Sequence, residues 1–412
     1  MQPLVYFVVL SVLVVLANAG IISPKTCQIS YSNPSPDFNS IQRRVIDLDA
    51  APADRWTAVA TEYSTQVSTM VTEFVGHVAK FLGAPWESLI DYLELNQDML
   101  LNRLPNNYGD EIRSIQAATG LQMSFLLAFN LGYELMGACT SVTAQDADGH
   151  MYHARNLDFG LFLGSEKDGG PNENFQWTNT DLLRQITVLT DFQRGGKTLY
   201  KSVSYVGYVG LLTGVRKNGV TVTVDTRFDN NYDRFLKEWI QDPNDDASLL
   251  SMALRSQIED DVVGMDFESY WSKLGSTRLV GPAYAIIGGP KAGQGIVLTI
   301  TPNSTTPVDS WRITDADGLP SAAAAADKFY VLQTNYDHWD APPLIDDRET
   351  AAYDCMDNVI AKNGVSKDSL YNLLAAMPNR NRLTTYTAVM DCAEGTLDAT
   401  LQYCIEDGCT PW

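Results

Sequence analysis

The sequence predicts an α+β protein, with a mainly helical stretch before residue 139 and a layered body of strands and helices after it. Three observations carry that reading. Apolar residues recur at spacings of three and four between about residues 50 and 138, the pattern changes to alternation at Cys139, and the later strand-like runs are joined by turn signals. Helices first and mixed elements afterwards is the order of an α+β layered body. The 412 residues, 45% hydrophobic and 19% charged, suffice for one large or two medium domains with a substantial core and exclude a disordered chain.

Taken in order, the run from Leu4 to Ala17 is apolar except for Ser11, and Ala17-Asn18-Ala19 ends it with small residues. This predicts a signal peptide over 1–19 and a soluble chain from Gly20. Val67, Met70, Val71, Phe74, Val75, Val78, Phe81 and Leu82 form one stripe of a long helix, which Pro85 separates from a second helical piece containing Trp86, Leu89, Leu93 and Leu100. Pro105–Asp110 reads as a loop, and a further helical segment runs toward Met136.

Beyond Cys139, Val142 and Ala144 share one side of a short strand, Asp146-Ala147-Asp148-Gly149 is a turn, and a second strand starts at His150. Asn218-Gly219 marks a tight hairpin followed by Val220, Val222 and Val224, alternating with threonines. Strands are also expected at Ala283–Ile287, Ile296–Ile300 and Phe329–Gln333, and helices at Ala247–Ile258 and Leu370–Met377. Gly288-Gly289-Pro290 is a turn without a phosphate-loop pattern.

The formal charge of −21 excludes nucleic acid as a partner, because the phosphate backbone would be repelled. The six cysteines make no CxxC pair; Cys404 and Cys409 are close enough to close a short loop, and spacing pairs none of the others. His150 and His153 resemble a metal pair, but strand positions three apart face opposite sides, so structural roles are expected, with no metal and no cofactor. One glycosylation sequon starts at Asn303.

The stretch from Cys139 to Gly160, CTSVTAQDADGHMYHARNLDFG, holds the candidate chemistry. If its two arms are strands joined by the turn, Arg155 and Asp158 return toward Cys139, where Arg155 offers its charge to the thiol and Asp158 accepts hydrogen bonds from an amine. Alone, such a cysteine reads as a small buried hydrophobe and the charged residues as a surface ion pair. The stretch, together with NLDFGLFLG, DFQR at 191–194, TNYDHW at 334–339, DDR at 346–348 and the terminal CTPW, resembles the acid ceramidase and N-acylethanolamine acid amidase family of N-terminal-nucleophile hydrolases.

The resemblance covers nearly the whole mature chain. It implies an αββα sandwich, self-cleavage between Ala138 and Cys139, and a helical α subunit (20–138) disulfide-linked to a catalytic β subunit (139–412). Cys139 would then be the nucleophile and its freed α-amine the base, with Arg155 and Asp158 beside them. Asn335 would help form the oxyanion hole and Arg348 would stabilise the site. The family pattern implies Cys27–Cys355 and Cys404–Cys409 disulfides and leaves Cys392 a buried free thiol. It also implies a lysosomal or secreted enzyme acting on a lipid amide, ceramide first and an N-acylethanolamine second. An anionic membrane surface or a saposin-like helper would present the lipid. Relatives read N-E-R-F where this chain has Asp225-Thr226-Arg227-Phe228, so the family glutamate is a threonine here. A non-catalytic luminal lipid-binding protein is the alternative of another class.

Overall fold

The long apolar stripe folds as expected. Val67, Met70, Val71, Phe74, Val75 and Val78 lie on one buried face of the helix Ser64–Leu82. A computed structural model describes residues 25–29, 40–82, 84–159, 165–166, 176–228, 238–242, 244–260, 266–302, 304–313, 329–404 and 409. The signal-peptide reading at 1–19, the sequon Asn303 and the side chains of Phe81 and Leu82 lie outside the described residues.

A second helix, Ala84–Leu95, follows and buries Trp86 and Leu93; Leu100 is buried in the next one, Gln97–Arg103. The loop expected over Pro105–Asp110 is shorter. A 3-10 turn covers Pro105–Asn107, and a helix already starts at Tyr108. Left-handed Asn106 and Asn107 end the turn, and Asp110 and Glu111 fall in the first helical turn, where the exposed N–H groups favour carboxylates. The segment toward Met136 is two helices, Tyr108–Thr119 and Met123–Met136. They part at Gly120, whose φ of 72° suits glycine at a helix C-terminus.

The strands build two large sheets and one two-stranded ribbon. Strand β1 is Arg43–Asp47, and β2 and β3 are Gly137–Gln145 and Met151–Phe159. A two-residue ribbon, β4 (Ser165–Glu166) and β5 (Gln176–Trp177), precedes β6 (Thr187–Arg194), β7 (Lys197–Tyr205), β8 (Thr213–Val215) and β9 (Thr221–Thr226). Then come β10 (Ala283–Gly288), β11 (Gly295–Ile300), β12 (Asp309–Arg312), β13 (Tyr330–Gln333), β14 (Thr384–Asp391) and β15 (Thr396–Leu401). The larger sheet runs β1-β6-β7-β8-β9-β10-β11-β12 and the smaller one β13-β2-β3-β14-β15. Only β1 and β6 pair in parallel among the described ladders.

The sheets face each other, with β2 against β9 and β10. Helices Leu250–Ile258 and Phe267–Gly275 pack on the larger sheet, and helices Arg348–Asp354 and Lys367–Ala375 on the smaller. This is an αββα sandwich, an α+β architecture. The helices before residue 137 share one continuous core with the larger sheet, from Phe74 and Phe129 through Val222 and Val224. A second core beneath the smaller sheet joins Val142 and Ala144 to Leu370, Leu373 and Leu374.

Candidate active site

The hairpin β2–β3 sets the site. Its register pairs Cys139 with Leu157, Ser141 with Arg155 and Ala138 with Asp158. Side chains alternate across a strand, so Cys139, Ser141, His153 and Arg155 project between the sheets, whereas Thr140, Asn156 and Asp158 project toward the helices outside the smaller sheet. Arg155 thus meets the Cys139 thiol on one face of the hairpin, while Asp158 lies on the other face and bonds the Arg348 that holds the Cys139 carbonyl. Cys139 is the third residue of its strand and fully buried, so the change from helix to strand precedes it by two residues.

On the inner face, Arg155 Nη2 donates to Cys139 Sγ at 2.6 Å. The guanidinium also donates to the carbonyls of Leu212, Val224 and Asn156 and to Thr213 Oγ1, and Asp225 Oδ1 lies 3.5 Å from Nη2. A buried cation needs such a shell, because an unpaired one would cost several kcal/mol. Its positive charge favours the thiolate at Cys139.

Two residues hold the backbone of Cys139. Its N–H donates to Asn335 Oδ1 at 2.9 Å, and its carbonyl accepts from Arg348 Nη1 at 2.7 Å. Asn335 Nδ2 donates to Thr226 O (2.7 Å) and Gly137 O (3.3 Å). Arg348 also reaches Asn335 Oδ1, Thr140 Oγ1 and Asp158 Oδ2, and is gripped by both oxygens of Asp346. Burial pushes the Asp158 carboxyl up to about 6, against the opposing pull of Arg348 and Asn381. Asp346 holds the Arg348 guanidinium well above its usual value despite the cost of burial.

All five candidates, Cys139, Arg155, Asp158, Asn335 and Arg348, are therefore part of one buried cluster. Reading by residue missed Asn381, which donates to Asp158, and Ser141, which donates to Asp225. Asp346 was present only inside the DDR motif, without a role. Ser141 is two residues from Cys139 on the same strand face, a signal that strand periodicity contains; Asn381 offers none, since only the fold brings it near.

His153 is neutral and structural. Its ring nitrogens bond Thr221 and Thr223, and burial with Arg155 nearby lowers its pKa to about 3. His150 instead contacts Asp391 Oδ2 at 2.8 Å, so the two histidines part as strand geometry requires. Cys27 bonds Cys355, and Cys404 bonds Cys409; Cys392 is buried and unpaired.

Among known proteins, acid ceramidase of Heterocephalus glaber is 33% identical, covering 98% of this chain and 98% of its own length. Those of Mus musculus and Homo sapiens are 32% and 31% identical, the human alignment covering 94% of this chain and 92% of that protein. The chain belongs to the acid ceramidase family. A model of the beta subunit of N-acylethanolamine-hydrolyzing acid amidase matches residues 40–93. A solved structure, the Caenorhabditis elegans ortholog of that amidase, aligns over 62% of this chain and 93% of its own at 24% identity, with a TM-score of 0.46. Membership makes this chain an amidohydrolase relative. Within the acid ceramidase family setting, the described residues contain no helix long and apolar enough to cross a membrane.

Proposed function

We propose that this chain is a lysosomal, also secreted, cysteine amidase that cleaves itself before Cys139 and then hydrolyses ceramide to sphingosine and a fatty acid. The observation that carries this reading is the grip on one residue: Arg155 on its thiol, Asn335 on its N–H and Arg348 on its carbonyl. In the first reaction the thiol adds to the Ala138 carbonyl carbon. The C–N bond breaks as the C–S bond forms, the amine takes the proton, and water then hydrolyses the thioester to leave a carboxylate at Ala138 and a thiol at Cys139.

The freed α-amine stays beside Asn335 Oδ1 and serves as base. It takes the thiol proton, Sγ attacks the lipid amide carbon, and the amine returns the proton to the leaving sphingosine. Gly137 lies on the side that cleavage releases, so its departure frees Asn335 Nδ2 to donate to the developing oxyanion. Water hydrolyses the resulting thioester and releases the fatty acid. The disulfide Cys27–Cys355 spans 328 residues and would tether the two subunits. Presentation of the lipid by an anionic membrane surface or a saposin-like helper is part of the same reading.

The family-model match to an N-acylethanolamine-hydrolyzing amidase supports a second substrate reading. The test is incubation of purified chain at acidic pH with ceramide and with an N-acylethanolamine, beside Cys139→Ser. Two chains after reduction and preferred ceramide hydrolysis are expected, both slowed at least a hundredfold by Cys139→Ser. A chain that stays whole, or preferential ethanolamide cleavage, overturns the corresponding part.

A further inference from the structure

The precursor poses a problem that the mature mechanism does not solve. Before cleavage the nitrogen of Cys139 is locked in a peptide bond, so the thiol must be activated without it. The charges around Arg155 bear on this. Thr221, Thr223 and Asp225 alternate on the face of β9 that looks toward the smaller sheet, opposite Val222 and Val224. Asp225 therefore points inward, and the neighbouring Thr226, at the position of the family glutamate, does not share its face. Asp225 is fully buried; Oδ1 accepts from Ser141 Oγ at 2.9 Å and lies 3.5 Å from the same Arg155 nitrogen that donates to Cys139 Sγ. Its second oxygen, Oδ2, is buried with no hydrogen-bond partner.

We propose that Asp225 is a positioning residue for self-cleavage, acting on Cys139 through Arg155: ionised, it shares the guanidinium charge and weakens its support of the thiolate; protonated, it releases that charge to the sulfur. The inference rests on the self-cleaving reading above. An ionised Asp225 carries one unsolvated oxygen, so burial raises its carboxyl to about 7, more than Arg155 and Ser141 lower it. As pH falls through that value it takes up its proton, and the thiol gains the whole positive charge of Arg155. Acidification thus switches on the precursor.

The other groups facing Asp225 do not supply this change. From β3, His153 connects to it through Thr223 and Ser141, but its pKa of about 3 keeps it neutral throughout. Asp158, on the other face of β3, titrates near 6 and is paired with Arg348 of the helix Arg348–Asp354. From β10, Tyr284 stands opposite Asp225 in register, and its hydroxyl donates to Asp337, which Arg227 neutralises. From β2 the facing groups are Ser141 and the Cys139 thiol itself.

The test follows self-cleavage of the full precursor by reducing gel from pH 4 to 8, for the natural chain, Asp225→Asn and Cys139→Ala. Asparagine keeps the shape and a Ser141 contact without the charge, and it is the residue of the N-E-R-F pattern at that position. The natural chain should cleave more slowly as pH rises through about 7, whereas Asp225→Asn should keep its acid rate and cleave about tenfold faster than the natural chain at pH 8. An unchanged profile, or a uniform slowing at every pH, overturns the role of Asp225 alone. If the natural chain never cleaves, or Cys139→Ala cleaves equally, the self-processing reading itself fails. Should Asp225→Asn not be recovered folded, Ser141→Ala serves. Removing that hydrogen bond to the ionised form must shift the neutral limb to higher pH, and a stationary limb overturns the proposal.

Discussion

At the scale of single residues, Arg348 is held by geometry that no lysine reproduces. Its planar head meets Cys139 O, Asn335 Oδ1, Thr140 Oγ1 and Asp158 Oδ2 while both oxygens of Asp346 fix it from behind. A lysine offers one point charge and three donors, and would leave buried acceptors unmet. Arg348→Lys is therefore expected to lower kcat for lipid-amide hydrolysis by about a hundredfold, the scale of losing a preorganised donor at a transition state, with a smaller change in KM. A loss confined to KM would show that Arg348 binds substrate rather than orienting Cys139 and Asn335.

At the scale of elements, the segment at residues 25–29 clamps the helix that begins at Arg348. Cys27 bonds Cys355 just past the helix end, the Cys27 N–H donates to Asp354 Oδ2 at 2.7 Å, and Lys25 lies 3.6 Å from the N-cap Asp347. The disulfide is not all that joins the halves. Glu111, on the helix Tyr108–Thr119, accepts two bonds from Arg255 and one each from Arg55 and Trp56, all within a common core. Glu111 and Arg255 lie on either side of the expected cut. After self-cleavage, Cys27→Ser should thus give two chains on a non-reducing denaturing gel yet one species on native size-exclusion chromatography. Separation under native conditions would show that the shared core does not hold the subunits together.

At the scale of the whole molecule, buried carboxyls set the pH dependence of stability. Burial raises Asp158 to about 6, Asp225 to about 7 and Glu349 to about 8. Each binds its proton more tightly folded than unfolded, where carboxyls titrate near ~4. Between those values the native state holds the extra protons, so stability falls as pH rises. His153 has the opposite sign: with a folded pKa of about 3 it costs stability as pH falls below its unfolded value of 6.5. Three carboxyls outweigh one imidazole above pH 5. The Cys139→Ala chain, which cannot cleave, is expected to melt several degrees higher at pH 5 than at pH 8. Equal or lower melting at pH 5 would contradict the burial of these carboxyls.

Sequence periodicity determined the long helix with Val67, Phe74 and Val78, the hairpin at Asn218-Gly219 and the strands beginning at Ala283 and Tyr330, because spacing along the chain alone decides which side chains share a face. It did not reveal β1, β6, β7, β12, β14 or β15. Pairing partners far away in sequence stabilise a strand as much as its own residues do. Motif spacing likewise picked out Cys139, Arg155 and Asp158, whereas the seating of Arg155 on the thiol and of Asp158 on Arg348, the arrival of Asn381, and the orphaned Asp225 oxygen exist only once the fold is assembled. Local covalent geometry dictates period and turn. Which distant charges are stripped of water and set against one another is decided by packing alone, since desolvation belongs to the assembled interior and not to any stretch of chain.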